Sequence, residues 1–275
     1  MRAKRYNDYS ISLIGFSSLV LMAITLSIFG VNAIDQDMDG NIDRDVLFQV
    51  STIDALLQGV YDGVMNFGEL KQQGDFGIGT FEGIDGEMIA LDGQYYQVKA
   101  DGIAYSVNDT MTTPFSTVTY FDKDFDIIVS AKNFTELSSA LDAQIPSKNL
   151  FYAIRIDGTF PYVKTRSIPK LSKPYPLLKD AAANQSVFEF KDIKGTIVGF
   201  YTPESAEGLN VPGYHLHLIT DDKKAGGHIL DLALNSSVIW LDITPTFNMA
   251  LPSSGDFIGI DLTKDLNEDL NQVEG

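Results

Sequence analysis

The chain has 275 residues, with 37 acidic against 20 basic residues and a net charge of −17, so it can bury a large core and presents an acidic surface. The sequence contains no stripe of basic residues, which argues against a nucleic-acid partner. Cysteine is absent, which excludes disulfides, zinc–thiolate sites and cysteine nucleophiles.

The first 33 residues have the pattern of an export signal. Arg2, Lys4 and Arg5 precede an uncharged apolar run at 11–29, and the small residues that end at Ala33 suit a signal peptidase. The run is long for a cleaved signal and long enough to span a bilayer. Residues 1–33 are therefore predicted to be a signal peptide or an N-terminal membrane anchor. Either alternative makes the protein extracytoplasmic, secreted or membrane-anchored, and an uncleaved segment would be its only membrane contact.

Residues 34–46 form an acidic segment, which we predict to be a linker. Acidic residues at alternate positions from Asp35, then a glycine and a β-branched residue, match the first part of a calcium-binding loop. The last position of that loop, where a bidentate Glu belongs, is Val46, and no helical pattern precedes it. A solvated linker is the preferred interpretation, and weak calcium binding between Asp35 and Asp45 is the alternative.

The region 47–275 is predicted to be α+β, with two largely antiparallel sheets, a few helices, and two subdomains that meet near residues 155–190. No βαβ alternation is present, which argues against a doubly wound sheet. In chain order, periodicity and turn residues predict a helix at 52–61, strands at 76–81, 87–91, 95–98, 117–121 and 125–129, a helix at 133–145, strands at 151–156, 187–190, 196–201 and 237–243, and a helix at 263–273. Asp92-Gly93 predicts a two-residue hairpin between two of these strands. Asn133 and Glu136 are placed like a helix N-cap and its N3 partner.

The three histidines of the chain lie close together in sequence, as His215, His217 and His228. In an extended strand the first two project from one face. The turn composition of 221–227 and the β-forming residues that follow predict a hairpin, which returns His228 beside the pair. Three imidazoles with one open coordination position are typical of catalytic zinc, although copper, iron and nickel accept the same ligands. The alternative is three ordinary sheet histidines that bind no metal.

A metal ion held by three neutral imidazoles keeps its positive charge, so we expect a partner carboxylate and an anionic substrate. Glu87 stands at a glycine-flanked turn into a strand, where it faces a cleft or simply forms a hairpin corner. Arg155 and Arg166 are the arginines of the central region. Each is a candidate either for a bidentate hydrogen-bonded pair with a substrate carboxylate or for a structural ion pair.

Several segments, in their order and spacing, resemble the alpha-acetolactate decarboxylase family. The resemblance extends over about residues 46–275, and no single motif within it is as diagnostic as the whole series. The matching segments are 47–52, 55–59, 77–87, 92–93, 113–115, 155–158, 165–169 and 213–217.

The resemblance implies a two-domain α/β fold, a homodimer, and a zinc ion near the domain boundary. It also implies a carboxy-lyase that converts (S)-2-acetolactate, a small 2-hydroxy-3-keto acid, to (R)-acetoin and CO₂ through a metal-stabilised enediolate. Arg166 is preferred to Arg155 because of its Thr-Arg-Ser-Ile-Pro context. The residues carried over are His215, His217 and His228 for the metal, Glu87, Arg166 and Glu274 for catalysis, and Thr80 for the substrate pocket.

Two other functions are compatible with the histidine pattern. A cupin-like metal-dependent oxygenase or isomerase also uses His-x-His on a strand, but such sites usually place a Glu shortly afterwards, and residues 218–222 contain none. The second alternative is a non-catalytic exported metal-binding protein on the same scaffold.

Overall fold

A computed structural model of the protein describes residues 44–274. The predicted leader at 1–33 and most of the predicted linker lie outside the described residues. Within 44–274, no helix combines the length and apolar character needed to cross a membrane. The helices are α1 (Ile53–Leu57), α2 (Phe67–Leu70), α3 (Phe134–Asp142), α4 (Leu178–Ala182) and α5 (Asn267–Glu274). The strands are β1 (Val46–Val50), β2 (Met65–Asn66), β3 (Phe76–Thr80), β4 (Glu87–Leu91), β5 (Gln94–Val98), β6 (Ala104–Ser106), β7 (Thr112–Thr113), β8 (Ser116–Thr119), β9 (Phe125–Ala131), β10 (Tyr152–Ser167), β11 (Ser186–Thr202), β12 (Gly213–Thr220), β13 (Gly226–Ile243) and β14 (Thr246–Ala250).

The first large sheet has seven strands in the order β14-β1-β8-β3-β4-β5-β6. Its pairings are antiparallel except for that of β1 with β14. The predicted two-residue hairpin between β4 and β5 is confirmed, with φ of 51° at Asp92 and 75° at Gly93. Positive φ at both turn residues matches the twist of the flanking strands, which accounts for the Asp-Gly pair at this position.

The second large sheet closes on itself. Its order is β10-β11-β12-β13-β9, and β10 pairs with both β11 and β13. All of these pairings are antiparallel. Together with the first sheet, this arrangement confirms the predicted α+β class with largely antiparallel sheets and few helices.

Helix α3 covers one side of the closed sheet. Asn133 caps it by accepting a hydrogen bond from the backbone of Glu136 at 2.8 Å, as the sequence predicts. Leu137 and Leu141 are fully buried in the core cluster that fills this sheet. Burial of this apolar face therefore stabilises the helix, because a helix of nine residues is too short to be stable through its backbone hydrogen bonds alone.

Three strands are longer than predicted. Strand β10 continues through Pro161 to Ser167, although proline normally interrupts a strand. Pro161 has no partner in the register with β11, and the pairing with β13 is also interrupted there, so its missing N–H removes no ladder bond. Strand β11 joins the two strands predicted at 187–190 and 196–201. Strand β13 includes the separately predicted strand at 237–243, and α5 begins at Asn267 rather than 263. The division into two subdomains stays a prediction.

Candidate active site

A row of polar side chains crosses three strands of the closed sheet. Arg166 on β10 pairs directly with His228 on β13, and His228 pairs with His217 on β12. Directly opposed residues in a sheet share a face, so these side chains point into one space. His215 lies two residues before His217 and projects from the same face. The hairpin predicted from the turn composition of 221–227 is confirmed.

The three imidazoles converge at distances that suit a shared metal ion. His215 Nε2 lies 3.1 Å from His228 Nδ1 and 3.2 Å from His217 Nε2. One nitrogen from each ring lies within 4.8 Å of the others. Two nitrogens bound tetrahedrally to zinc at about 2.0–2.1 Å are about 3.3 Å apart, so the observed spacing is close to that of a ligand set.

The rings are also in the protonation state that a metal requires. Burial, with Arg166 adding to it, lowers the pKa of His215 to about 3. Burial is also the main reason that the pKa values of His217 and His228 lie well below their usual value. His217 Nδ1 lies 2.9 Å from the Met88 carbonyl oxygen, which can only accept, so Nδ1 donates and the Nε2 lone pair is free to bind. These residues fit a transition-metal ion.

The buried Glu87, the partly buried Glu274 and a guanidinium complete the polar end of the site. Arg166 Nη1 lies 3.6 Å from Glu87 Oε1, and Nη2 lies 3.2 Å from Glu274 Oε1. Glu274 Oε2 lies 3.7 Å from Nε2 of both His215 and His228. The guanidinium thus lies between the carboxylates, and both carboxylates also lie near the imidazoles.

Glu87 can exchange a proton near neutral pH. Burial raises its pKa to about 7, Arg166 opposes this rise, and Glu274 adds to it. Its Oε2 lies 3.9 Å from His217 Nε2, so the group stands next to the imidazoles. A carboxyl with this pKa is present in both ionisation states at neutral pH, which suits a general acid or base.

Helix α5 brings Glu274 into the site. Leu270, Val273 and Glu274 have i, i+3, i+4 spacing and therefore share one helix face. Leu270 and Val273 are buried in an apolar cluster, and Asp269 pairs with Lys179 Nζ of α4 at 2.9 Å. The apolar contacts and the ion pair hold the end of the chain in place.

The site lines a partly open cavity. Thr80 lines it, and its Oγ1 donates a hydrogen bond to the Gly86 carbonyl at 2.8 Å. The wall away from the charged groups is apolar. It consists of Ile53, Leu56, Ile84, Phe115, Ile168 and Leu178.

The structure brings every residue predicted for the site together. These are Thr80, Glu87, Arg166, His215, His217, His228 and Glu274. Arg155, the alternative arginine, instead pairs with Asp92 at 2.6 Å and Asp157 at 2.8 Å. Sequence reasoning missed the Met88 carbonyl, because a backbone acceptor has no residue signature. It also missed the apolar wall, whose members come from loops and short helices.

Three neutral imidazoles beside an arginine and two carboxylates define the class of protein as an enzyme with a candidate metal-dependent active site. Residues 47–264 match the family profile of alpha-acetolactate decarboxylase. The alpha-acetolactate decarboxylase of Methanosarcina mazei is 59% identical over 232 residues, which cover 84% of this chain and 80% of that protein. That of Methylococcus capsulatus is 43% identical over 236 residues, covering 86% and 90%.

Solved structures agree with the sequence comparisons. The crystal structure of alpha-acetolactate decarboxylase from Bacillus subtilis matches with a TM-score of 0.81 at 39% identity, covering 84% of this chain and 99% of that one. The chain belongs to the alpha-acetolactate decarboxylase family, which confirms the resemblance found in the sequence and, with it, the carboxy-lyase class.

Proposed function

We propose that this protein decarboxylates (S)-2-acetolactate to (R)-acetoin and CO₂, with a zinc ion held by His215, His217 and His228. The observation that carries the proposal is the convergence of three unprotonated imidazoles beside Glu87 and Arg166, next to an apolar-walled cavity. The relatives that share its family are named for this substrate. When bound, the metal supplies Lewis-acid stabilisation for negative charge on the substrate oxygens.

Arg166 is suited to bind the substrate carboxylate. Its side chain is only 5% exposed, and among the described residues its Nε has no hydrogen-bond partner. A buried donor without a partner is costly, and a carboxylate that accepts from it would remove that cost. The charge-assisted bond orients the substrate, with its hydroxyl and ketone oxygens directed toward the imidazoles.

Glu87 is suited to deliver the proton that ends the reaction. Loss of CO₂ breaks the bond between the carboxylate and C2 and leaves the electron pair on the substrate as an enediolate. A proton must then reach carbon, and Glu87, whose pKa burial raises, is a carboxyl beside the imidazoles that can deliver one. Because Glu87 lies on one side of the cavity, protonation from that side would give one acetoin enantiomer.

The two arginines provide a matched test of this proposal. Arg166→Lys removes the planar guanidinium from the cavity. Arg155→Lys instead changes an arginine that pairs with Asp92 and Asp157. Charge-assisted hydrogen bonds contribute about 1.5–3 kcal/mol, so we expect kcat/KM for acetolactate to fall about 10- to 100-fold in Arg166→Lys alone. Acetoin is measured by chiral gas chromatography. Equal activity of the Arg166 variant and the wild type would contradict the proposal.

A further inference from the structure

Ile84 has an unusual backbone conformation at the edge of the cavity. Its φ is 54°, in the left-handed region that a β-branched residue strongly disfavours. Among the described non-glycine residues with positive φ, Ile84 is the one apolar and β-branched residue. The others are Ser51, Asp92, Asp192, Lys223 and Ser236. Such a conformation persists only where the surrounding structure holds it, and it is found most often at functional sites.

The neighbouring backbone holds Ile84 from both sides. Leu171 N donates to the Gly83 carbonyl at 2.8 Å. Gly86 N lies 2.8 Å from the Ile84 carbonyl and 3.1 Å from the Ile168 carbonyl. The segment just before the strand that carries the active-site carboxylate is therefore fixed, and the direction of the Ile84 side chain is fixed with it.

The fixed side chain faces the cavity. Ile84 is 4% exposed and belongs to the apolar wall, which also includes Leu56, Phe115 and Leu178. A 2-hydroxy-3-keto acid has all its oxygens on adjacent carbons, and these must face the imidazoles and Arg166. Its alkyl ends must then face the apolar wall. Ile84 forms part of this wall, so its side chain stands where an additional methylene on an alkyl end would lie.

We propose that Ile84 is a specificity-determining residue that limits the length of the alkyl groups on the substrate. This inference rests on the proposed function. The strained conformation keeps a branched side chain at a fixed place in the wall, where a flexible side chain would yield to a longer substrate.

The test uses the full chain loaded with zinc and measures CO₂ release from acetolactate and from two homologues. One homologue carries ethyl instead of methyl on C2. The other carries ethyl instead of methyl on the ketone carbon. One methylene in an apolar pocket changes kcat/KM by about 10- to 200-fold. In Ile84→Ala we therefore expect the kcat/KM of at least one homologue, relative to acetolactate, to rise about tenfold or more. The homologue that responds identifies the end of the substrate that faces Ile84.

Leu57→Ala is the matched control. Leu57 is 2% exposed and belongs to the same apolar cluster as Ile84, but it does not line the cavity. We expect this variant to be less stable with unchanged substrate ratios. Ile84→Gly is the second test variant, because glycine adopts positive φ without strain and the segment should fold.

The outcomes separate the two proposals. Substrate ratios within twofold of wild type in both Ile84 variants, while acetolactate is still converted, would overturn the specificity inference alone. An equal rise in Leu57→Ala would also overturn it, since the effect would then come from loosened packing. A zinc-loaded wild type that releases no CO₂ from any of the three substrates would overturn both proposals.

Discussion

Asp242 on β13 is a buried carboxyl that should make the fold less stable as the pH rises. The residue is 0% exposed. Its Oδ2 accepts a hydrogen bond from Asp122 N at 3.1 Å, but within residues 44–274 no partner is found for Oδ1. Burial raises the pKa of Asp242 to about 8, the hydrogen bond from Asp122 opposes this rise, and the negative charges of Asp124, Asp45 and Asp122 add to it.

The sign and size of the effect follow from proton linkage. An unfolded Asp has a pKa of about 3.9, so between about pH 4 and pH 8 the folded state binds more protons than the unfolded state. The contribution of Asp242 to stability is therefore complete below about pH 4, is lost as the pH rises toward 8, and stays lost above it. The slope is about 1.4 kcal/mol per pH unit.

The replacement Asp242→Asn removes the ionisation and keeps an oxygen that can accept from Asp122 N. From pH 5 to pH 7 we expect the free energy of unfolding of the variant, relative to wild type, to increase by about 3 kcal/mol. Urea titrations at pH 5, 6 and 7 measure this difference. The control is Asp126→Asn, which changes an exposed carboxylate of β9 that is not among the groups raising the pKa of Asp242. A difference between Asp242→Asn and wild type that is constant with pH would refute the reasoning.

Three other substitutions test the packing around the site and the helices. In Gly79→Ala the new Cβ would lie 2.6 Å from the Phe115 carbonyl oxygen, so urea titration should show a loss of about 1–3 kcal/mol. Lys179→Met breaks the half-exposed ion pair with Asp269, so global stability should fall by less than about 1 kcal/mol while hydrogen exchange in α5 becomes faster. Asn133→Ala removes a helix cap and should cost about 1 kcal/mol, or about 2–4 °C in Tm by calorimetry.

The histidine hairpin was predictable from the sequence because its determinants are local. Alternation in β12 places His215 and His217 on one face, and the turn composition of 221–227 brings His228 opposite His217. Local patterns also identified the cap of α3 and the Asp-Gly turn between β4 and β5. In each case one short segment contains the whole physical cause.

Features that depend on distant pairings could not be predicted in the same way. The position of Arg166 opposite His228 depends on the register of β10 against β13, and these two strands are far apart in sequence. Pro161 and the turn-forming residues near it indicated that the strand would end, so the full length of β10 was not predicted. The strand continues because neither partner strand pairs with Pro161. The position of Glu274 in the site was implied only by family resemblance, although the apolar spacing of α5 offered a local signal. Export and dimer formation stay predictions from the sequence.

The most direct test of the account is the dependence of acetoin formation on metal. The full chain is stripped with a chelator, assayed with racemic 2-acetolactate, and assayed again after zinc is restored. We expect activity to disappear on chelation, to return with zinc, and to yield (R)-acetoin as a single enantiomer. A folded, zinc-loaded protein that forms no acetoin, or a stripped protein that retains full activity, would contradict the central claim.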